Sequence, residues 1–564
     1  MKKFITLFIL AAACLYACAT DTSTVWTLQS EDFTVDTLYH ATVGPGTTET
    51  ELRLTSKSVT NKIHNVFYTV TDLNNEYVEM RVAKGGNHMR KLETVPDIAA
   101  RMNRQNELYF AGVNADFFNM SYPFNICGSC IADGYLTNRA SNGGWYHLSF
   151  DDKNVPTFSH TVNIANSGFM TFPGNTRYEF YLNQYRDEDQ LIVYTPQWEF
   201  LNPYTGTTSP VGRTGQNQWG CEVKVRPVGE NIMFGNKLQL EVISEPVTEG
   251  NLEIPADGYV VSGHGKAKTL VQALKKGDIL VTDISITVDG RAMPVKHLVG
   301  GFPQILTDSR VEPTSNGIDH LKNPEPRTAV GYNSDKSKLY MLVVDGRNAG
   351  GSSGVTQRVL ADIMKNVGCT DAMNFDGGGS STMYIDGLGI KNVPSSSSLD
   401  SRPEGQPRTV VNALFAVAVA PEDYDVASIE IRDKHVALSE GESYTPVVYA
   451  YNRYGVMIST DFDECTFRIP SQVAKVEGSS IVAVTGSACT AMLEAEYNGA
   501  SYSVPVDFNG GGEMIAGVGD IVAGDESTAP TEYFTPDGQR IPSPSSHGVT
   551  IVRRGPKVTK QIVR

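Results

Sequence analysis

The sequence lacks several features that would assign the chain to a familiar class. Residues beyond the first 18 include no apolar run long enough to cross a bilayer. The 47 Lys and Arg residues are outnumbered by 63 Asp and Glu, and the net charge of -16 argues against a nucleic acid partner. No Ser/His/Asp set with a nucleophile elbow stands out, which argues against an ordinary esterase. The 564 residues suffice for roughly two to four globular domains.

Cysteine is scarce, and its spacing does not predict a zinc site. Cys127-Gly-Ser-Cys130 has the spacing of a redox motif, but no helix start that would activate a thiolate follows it. We expect either a local disulfide or a packed loop here. A zinc site would need a second Cys or Cys/His pair, and none is evident.

The first 18 residues are typical of an export signal. Lys2-Lys3 precedes the apolar run from Phe4 to Ala13, and Leu15-Tyr16-Ala17-Cys18 resembles the lipobox of bacterial lipoproteins. We therefore predict a lipoprotein signal peptide over 1–18, acylation of Cys18, and a lipid-anchored protein of the cell envelope. A plain secretory signal is the alternative interpretation.

Residues 24–420 predict one large α+β domain with mixed sheets. Short apolar runs alternate with Gly, Asn, Asp and Pro clusters, as in a domain with many strands. Helical spacing occurs at Pro96 to Asn103 and at Val355 to Val367, where Gly368 is placed to end the helix.

The remaining sequence changes character. Residues 426–508 show evenly alternating strands, which predict an immunoglobulin-like β-sandwich in which Cys465 and Cys489 can pair. A Gly-rich linker is expected over 509–530. The tail, 531–564, predicts a short C-terminal strand unit, either a sorting signal or a structural cap.

Two acids follow two buried strands in the predicted catalytic region. The apolar run Lys338 to Val344 ends at Asp345, and after the second helix the run Asp371 to Phe375 ends at Asp376. This order predicts a β-α-β unit, whose parallel strands end at the same sheet edge. Because adjacent strands lie about 4.8 Å apart, the two carboxyl groups are expected within the roughly 5 to 9.5 Å used in glycoside hydrolysis.

Three glycines and two serines follow the second acid. Gly377, Gly378 and Gly379 let a ligand approach the backbone, and their N–H groups can form a nest for an anion. Ser380 and Ser381 add hydroxyl donors. A tight turn without any ligand is the alternative interpretation.

Polar residues beside other strands complete the set of candidates. Arg327 and Arg408 each adjoin an apolar strand, where a guanidinium can bind a phosphate through two parallel hydrogen bonds. Asn114, Asp116 and His264 follow strand ends and are either site residues or turn formers.

Six motifs in order resemble the phosphodiester glycosidase domain family over roughly 24–420. The motifs are Arg327-Thr-Ala-Val-Gly, Leu-Val-Val-Asp345-Gly-Arg, Gly354-Val-Thr, Met-Asn-Phe-Asp376-Gly-Gly-Gly-Ser-Ser-Thr, Asn392-Val-Pro and Arg408-Thr-Val-Val-Asn. The resemblance implies cleavage between a sugar's anomeric carbon and a phosphate oxygen, with Arg327 and Arg408 on the phosphate and Asp345 and Asp376 at the anomeric centre. The family often has Gly-Gly-Phe-Phe where this chain has Ala115-Asp116-Phe-Phe, which adds an acid near the expected site.

The resemblance predicts a hydrolase that acts on a phosphate-linked glycan or a small glycosyl-phosphodiester. It needs no cofactor, although a bound calcium or magnesium ion is compatible with acid and Asn groups at strand ends. A non-catalytic glycan-binding or adhesive lipoprotein is the alternative. Cleavage on the phosphorus side of the diester is a third possibility.

Overall fold

The structure is a computed structural model that describes residues 24–121, 124–140, 144–215, 219–396 and 402–515, with the backbone of four strands between 531 and 563. The expected signal peptide, with Cys18, and most of the expected linker lie outside the described residues. Within them, no helix is long and apolar enough to span a membrane.

The fold is mostly β, which corrects the α+β prediction. Among the residues that the structure describes, strands make up 45% and helices 9%. The described residues contain three α-helices: α1, Val95–Met102; α2, Gly265–Gln272; and α3, Gln357–Asn366. The sequence correctly predicted α1 and α3 but missed α2. The class was wrong because most turn-separated runs pair with one another as strands, and few of them are covered by a helix.

One large sheet supports the predicted acid pair. Its nine strands are, in spatial order, Thr24–Leu28, Glu31–Gly44, Thr47–Ser56, Ile63–Asp72, Lys338–Val344, Arg327–Tyr332, Asp371–Asn374, Gln304–Thr307 and Arg310–Val311.

A five-stranded sheet provides the strand that leads to Asn114. Its strands are Gly389–Ile390, Met383–Ile385, Leu108–Asn114, Asn412–Ala418 and Val78–Lys84. A second five-stranded sheet contains Pro156–Ser159, Tyr146–Phe150, His297–Gly301, Cys130–Ala132 and Tyr135–Asn138.

Seven strands close into a barrel with its own apolar core. They are Ser167–Thr171, Arg177–Leu182, Leu191–Tyr194, Tyr259–Gly263, Cys221–Pro227, Lys237–Val242 and Ile279–Asp283. A small sheet contains Val162–Ile164, Ile286–Val288 and Arg291–Ala292.

The chain divides into two compact units, 1–432 with 449–461 and 433–448 with 462–564. Residues 428–508 form short strands in three sheets, and the immunoglobulin-like sandwich stays a prediction. These strands are Ser428–Ile431, Val448–Tyr451 and Met457–Ser459; Val436–Leu438, Ala500–Phe508, Cys489–Tyr497 and Thr466–Arg468; and Ser443–Tyr444, Ser480–Ala483 and Ala474–Glu477. The tail contributes Arg540–Ile541, Thr531–Phe534, Gly548–Arg554 and Lys557–Val563.

The helix α3 packs on one face of the large sheet. Its side chains Leu360, Ile363 and Met364 are fully buried in the core beside that sheet, and each buried side chain stabilises the fold by about 1.5–3 kcal/mol. The Thr356 hydroxyl caps the helix by accepting a hydrogen bond from the Val359 N–H at 3.3 Å. The chain leaves the helix through Gly368, whose φ of +117° suits glycine.

The β-α-β prediction was wrong in one respect. The strands Lys338–Val344 and Asp371–Asn374 are parallel, but they are not neighbours, because Arg327–Tyr332 lies between them and pairs antiparallel with both. The local sequence shows a strand, a helix and a strand, but it carries no sign that an earlier strand fills the gap.

Asn114 joins three segments through its side chain. Its Nδ2 donates to the Asp376 carbonyl oxygen at 2.7 Å. Its Oδ1 accepts hydrogen bonds from the Thr328 hydroxyl at 2.8 Å and from the Thr382 N–H at 3.1 Å. Because Asn114 is fully buried, these bonds have no competition from water.

We expect Asn114→Ala to lower the free energy of unfolding by about 3 kcal/mol, because it leaves buried donors and acceptors without partners. Chemical denaturation measures this change. The matched control is Asn163→Ala, at an exposed strand position, with an expected change within about 0.5 kcal/mol. Equal effects of the two substitutions would show that the Asn114 bonds contribute nothing specific.

Candidate functional site

The antiparallel middle strand brings an arginine to the edge where both acids lie. Arg327 begins this strand and pairs with Val344, directly before Asp345, while Ala329 pairs with Asn374. The start of the middle strand therefore coincides with the ends of its two neighbours. Asp345 and Asp376 leave the same edge, separated by about 10 Å of sheet width.

Asp376 has a carboxyl group that ionises less readily than usual. Burial raises its pKa to about 6, and this increase is opposed by the hydrogen bond from the Ser380 hydroxyl and by the charge of Arg408. The Gly377 N–H and the charge of Arg327 act in the same direction as Ser380. Burial and the neighbouring donors thus have opposite effects on the pKa of Asp376, as expected of a group with a chemical role.

The glycine-rich loop packs against arginine side chains. A Cβ atom at Gly379 would overlap Nη2 of Arg408, and one at Gly378 would lie 3.0 Å from Nη2 of Arg347. Gly378 also has a φ of +63°. Gly378 needs glycine because of its φ, and at Gly379 a larger residue would displace the guanidinium group of Arg408.

The backbone of this loop is largely engaged within the protein. The Gly378 N–H donates to the Pro326 carbonyl oxygen at 2.8 Å, and the N–H groups of Ser380 and Ser381 donate to Gly377 and Gly378, each at 3.3 Å. The anion nest expected from the sequence therefore has few N–H groups to offer in this conformation. The neighbouring arginines supply the positive charge instead.

The two predicted arginines both border the loop. Arg327 is buried, and its Nε and Nη2 donate to the carbonyl oxygens of Val355 at 3.1 Å and Asn323 at 2.8 Å. Burial lowers its pKa to about 10, so it stays charged at neutral pH. Nη1 of Arg408 donates to the Ser380 hydroxyl at 3.4 Å.

Two further arginines, which sequence reasoning did not select, also border the loop. Nη2 of Arg402 donates to the carbonyl oxygens of Gly379 and Ser395, each at 3.1 Å. Nε of Arg347 forms an ion pair with Glu325 at 2.6 Å. The motif that contains Asp345 also contains Arg347 and could have pointed to it, but no local pattern marks Arg402.

Asp345 is buried and bonded to the segment that follows the loop. Its carboxyl group accepts hydrogen bonds from Nδ2 of Asn392 at 3.0 Å and from the Val393 N–H at 3.1 and 3.0 Å. Burial raises its pKa to about 7, against the effect of these donors. In this conformation Asp345 positions residues 392 and 393 beside the loop.

Asp116 lies close to Asp376 and is almost completely buried. Its Oδ2 accepts a hydrogen bond from Nδ2 of Asn412 at 2.7 Å. Burial raises its pKa to about 7, while the Asn412 bond and the charge of Lys84 lower it and the charge of Asp376 raises it. The buried Lys84 has a pKa lowered to about 8 by the same burial.

The other predicted side chains have different surroundings. Ser381 is buried, and its hydroxyl has no hydrogen-bond partner among the described residues. Asn114 uses its amide to hold the loop in place. His264 follows a barrel strand and precedes α2, and its N–H donates to the Gln190 carbonyl oxygen at 3.0 Å. The described contacts of His264 thus belong to the barrel, not to the arginine-bordered edge.

The cysteines are free thiols. This holds for all six that the structure describes, including Cys127 and Cys130 as well as Cys465 and Cys489. Cys130 is buried and accepts a hydrogen bond from Nδ2 of Asn412 at 3.3 Å. Of the two sequence interpretations, the packed loop describes this segment.

The described ranges contain no group of three or more His, Cys, Asp or Glu side chains arranged to hold a metal ion. The expectation that no cofactor is required, with calcium or magnesium as a compatible ion, stays a prediction.

Comparison with known proteins gives a match for the segment that contains Arg327, Asp345 and Asp376. Residues 239–417 match the family model for phosphodiester glycosidases. The SPbeta prophage-derived uncharacterized protein YomE of Bacillus subtilis is 32% identical over 113 residues, which is 20% of this chain and 16% of that protein. The chain thus matches about a sixth of the length of this relative.

Two solved structures show weaker likeness. A hypothetical protein from Synechocystis aligns with 17% identity and a TM-score of 0.39, covering 66% of this chain and 62% of that one. The catalytic domain of zebrafish N-acetylglucosamine-1-phosphodiester alpha-N-acetylglucosaminidase, auto-inhibited by its pro-peptide, aligns with 13% identity and a TM-score of 0.34, covering 69% of this chain and 88% of that one.

The match at 239–417 contains Arg327, Asp345, Asp376 and Arg408, and this chain therefore carries a domain of the phosphodiester glycosidase family.

Proposed function

We propose that this protein is a hydrolase that cleaves the glycosidic bond of sugar-1-phosphodiesters and releases a free sugar and a phosphomonoester. The observation that carries the proposal is Asp376, a carboxyl group with a raised pKa on which the charges of Arg327 and Arg408 both act, in a phosphodiester glycosidase family domain. The substrate is a phosphate-linked glycan or a small glycosyl-phosphodiester.

The arginines provide the phosphate-binding half of the proposal. Arg408 and Arg327 both act on the charge of Asp376, and Arg347 and Arg402 approach Gly378 and Gly379. A guanidinium holds two phosphate oxygens in one plane, and it also stabilises the charge that grows on the departing phosphate. We assign this role first to Arg408 and Arg327.

The carboxyl groups provide the other half. Phosphate is already a good leaving group, so the reaction depends on stabilising or attacking the anomeric carbon as positive charge develops there. We assign this role to Asp376. Asp345 is the proposed second acid, and the intervening strand favours the wider carboxyl separation, which leaves room for an attacking water. Asp116 is the competing partner, because Asp376 contributes to its raised pKa.

Export and lipid anchoring at Cys18 are also part of the proposal. Their support is the sequence of residues 1–18 alone. An envelope location would place the site where phosphate-linked surface glycans occur.

The products of a glycosyl-phosphodiester test the function directly. We expect free sugar from the purified protein, and a kcat lower by about 10²–10⁴-fold in Asp376→Asn. Arg408→Lys should raise KM, because a lysine lacks the planar pair of donors. Asp187→Asn, at an exposed acid in the first unit, is the matched control and should leave kcat unchanged.

The alternatives give different products. Sugar phosphate would show cleavage on the phosphorus side, and tight binding without any product would favour a glycan-binding protein. Asp345→Asn and Asp116→Asn in the same assay compare the two candidate partners of Asp376. Added chelator should leave the rate unchanged if no metal ion takes part.

We expect kcat/KM to rise as the pH increases through about 6, because Asp376 acts as the ionised carboxylate. The Ser380 hydroxyl lowers the pKa of Asp376, so Ser380→Ala should move this rise in kcat/KM, the acid limb of the profile, to higher pH. A pH–rate profile of both proteins measures the shift. A limb at the same pH in both proteins would assign the titration to another group.

A further inference from the structure

Four aromatic rings form a continuous row, here called the aromatic wall, made of Phe117, Trp145, Phe302 and His320. The ring centroids of Phe117 and Trp145 lie 5.7 Å apart, those of Trp145 and Phe302 also 5.7 Å, and those of Phe302 and His320 5.9 Å. The last two pairs meet edge to face, at interplanar angles of 68° and 84°. Such contacts hold each ring in a definite orientation.

Two rings of the aromatic wall are connected to the segments that carry Asp116 and Asp376. Phe117 follows Asp116 directly in the chain. The Phe302 N–H donates to the Asn374 carbonyl oxygen at 2.9 Å, and Nδ2 of Asn374 donates back to the Phe302 carbonyl oxygen at 2.8 Å. Phe302 is thereby fixed to the strand that ends two residues before Asp376.

Arg327, which we propose to bind the phosphate, also holds the loop that contains His320. Nη2 of Arg327 donates to the carbonyl oxygens of Leu321 at 3.3 Å and Asn323 at 2.8 Å, directly after His320. Gly317, with a φ of +89°, lies under the Phe302 ring, where a Cβ atom would come within 2.7 Å of it. The loop that contains His320 is therefore held from both ends.

The rings remain accessible although they are fixed. Phe117, Trp145 and Phe302 are half-buried, and His320 is exposed. Phe302 packs on the apolar core from its inner side. Fixed aromatic rings with exposed surface beside polar catalytic groups are the usual lining of a small-molecule site.

We propose that the aromatic wall is the sugar-binding subsite, which receives the neutral pyranose ring of a glycosyl-phosphodiester while the arginines receive its phosphate. This inference rests on the proposed function. One face of a pyranose consists mainly of C–H bonds with slight positive charge, and it complements the negative face of an aromatic ring. A neutral aromatic surface fixed to the strand that leads to Asp376, and a cationic surface at the loop that follows Asp376, match a substrate with a neutral half and an anionic half.

Binding of separate halves of the substrate tests the assignment without any turnover. Methyl glycosides and inorganic phosphate are titrated in turn by ligand-observed NMR against the wild-type protein and Trp145→Ala. We expect Trp145→Ala to weaken glycoside binding by about tenfold and to leave phosphate binding unchanged. Arg408→Lys should have the opposite pattern.

Two matched variants separate a lost contact from a lost fold. Trp145→Phe keeps a ring and should restore most glycoside binding, whereas Trp219→Ala removes an indole that is 73% exposed and should change nothing. Equal glycoside affinity in wild-type and Trp145→Ala would overturn the subsite. So would an alkyl phosphate whose affinity depends on Trp145 while the glycosides do not, because the wall would then bind an apolar aglycone.

The subsite and the proposed function fail in different ways. If glycoside binding depends on Trp145 but the protein cleaves no glycosyl-phosphodiester, the subsite is supported and the proposed enzymatic activity is contradicted. If the protein cleaves the diester with a KM that Trp145→Ala does not change, the enzymatic activity is supported and the subsite is contradicted.

Discussion

The buried side chain of Asn114 is the contact on which the candidate site depends. It joins the end of one sheet to the carbonyl group of Asp376 and to Thr328 in the middle strand of another sheet. The loop after Asp376 contains three consecutive glycines and has little conformational preference of its own. A fully buried amide that uses both its donor and its acceptor can hold such a loop in one place. Asn114 therefore holds the loop in this conformation, and its role in substrate binding stays a prediction.

The charges at this edge depend on one another. The Ser380 hydroxyl, the charge of Arg408, the Gly377 N–H and the charge of Arg327 together offset part of the desolvation of Asp376 and favour its ionised form. Arg327 is itself buried, and backbone carbonyl groups from the 321–323 segment and from Val355 accept hydrogen bonds from its Nη2 and Nε. The same arginine therefore holds the loop of His320, so that the phosphate side and the aromatic side of the site share one support. A change at Arg327 would alter both.

The sequence predicted the elements around the site better than their arrangement. Apolar spacing identified α3, and the strand ends correctly placed Asp345 and Asp376 at one edge, because parallel strands end on the same side. Local periodicity says nothing about which strands become neighbours, so the antiparallel insertion of Arg327–Tyr332 and the mostly β class were missed. That insertion carries Arg327 to the edge, which explains why a residue distant from Asp376 in sequence bears on its pKa.

Other contributions came from segments without a readable pattern. Arg402 reaches Gly379 from a stretch with no regular spacing, and Trp145 and His320 enter the aromatic wall from loops. His264 has a strand-end position like that of Asn114, but its described contacts belong to the barrel, and its role in substrate binding stays a prediction. Strand ends thus select polar residues, but only pairing over long sequence distances decides which of them meet.

Hydrolysis of a glycosyl-phosphodiester in ¹⁸O-labelled water tests the central claim most directly. If Asp376 acts at the anomeric carbon while the arginines hold the phosphate as the leaving group, the label will appear in the free sugar and not in the phosphomonoester. Label in the phosphomonoester would show attack at phosphorus and would contradict the roles assigned to Asp376, Arg327 and Arg408.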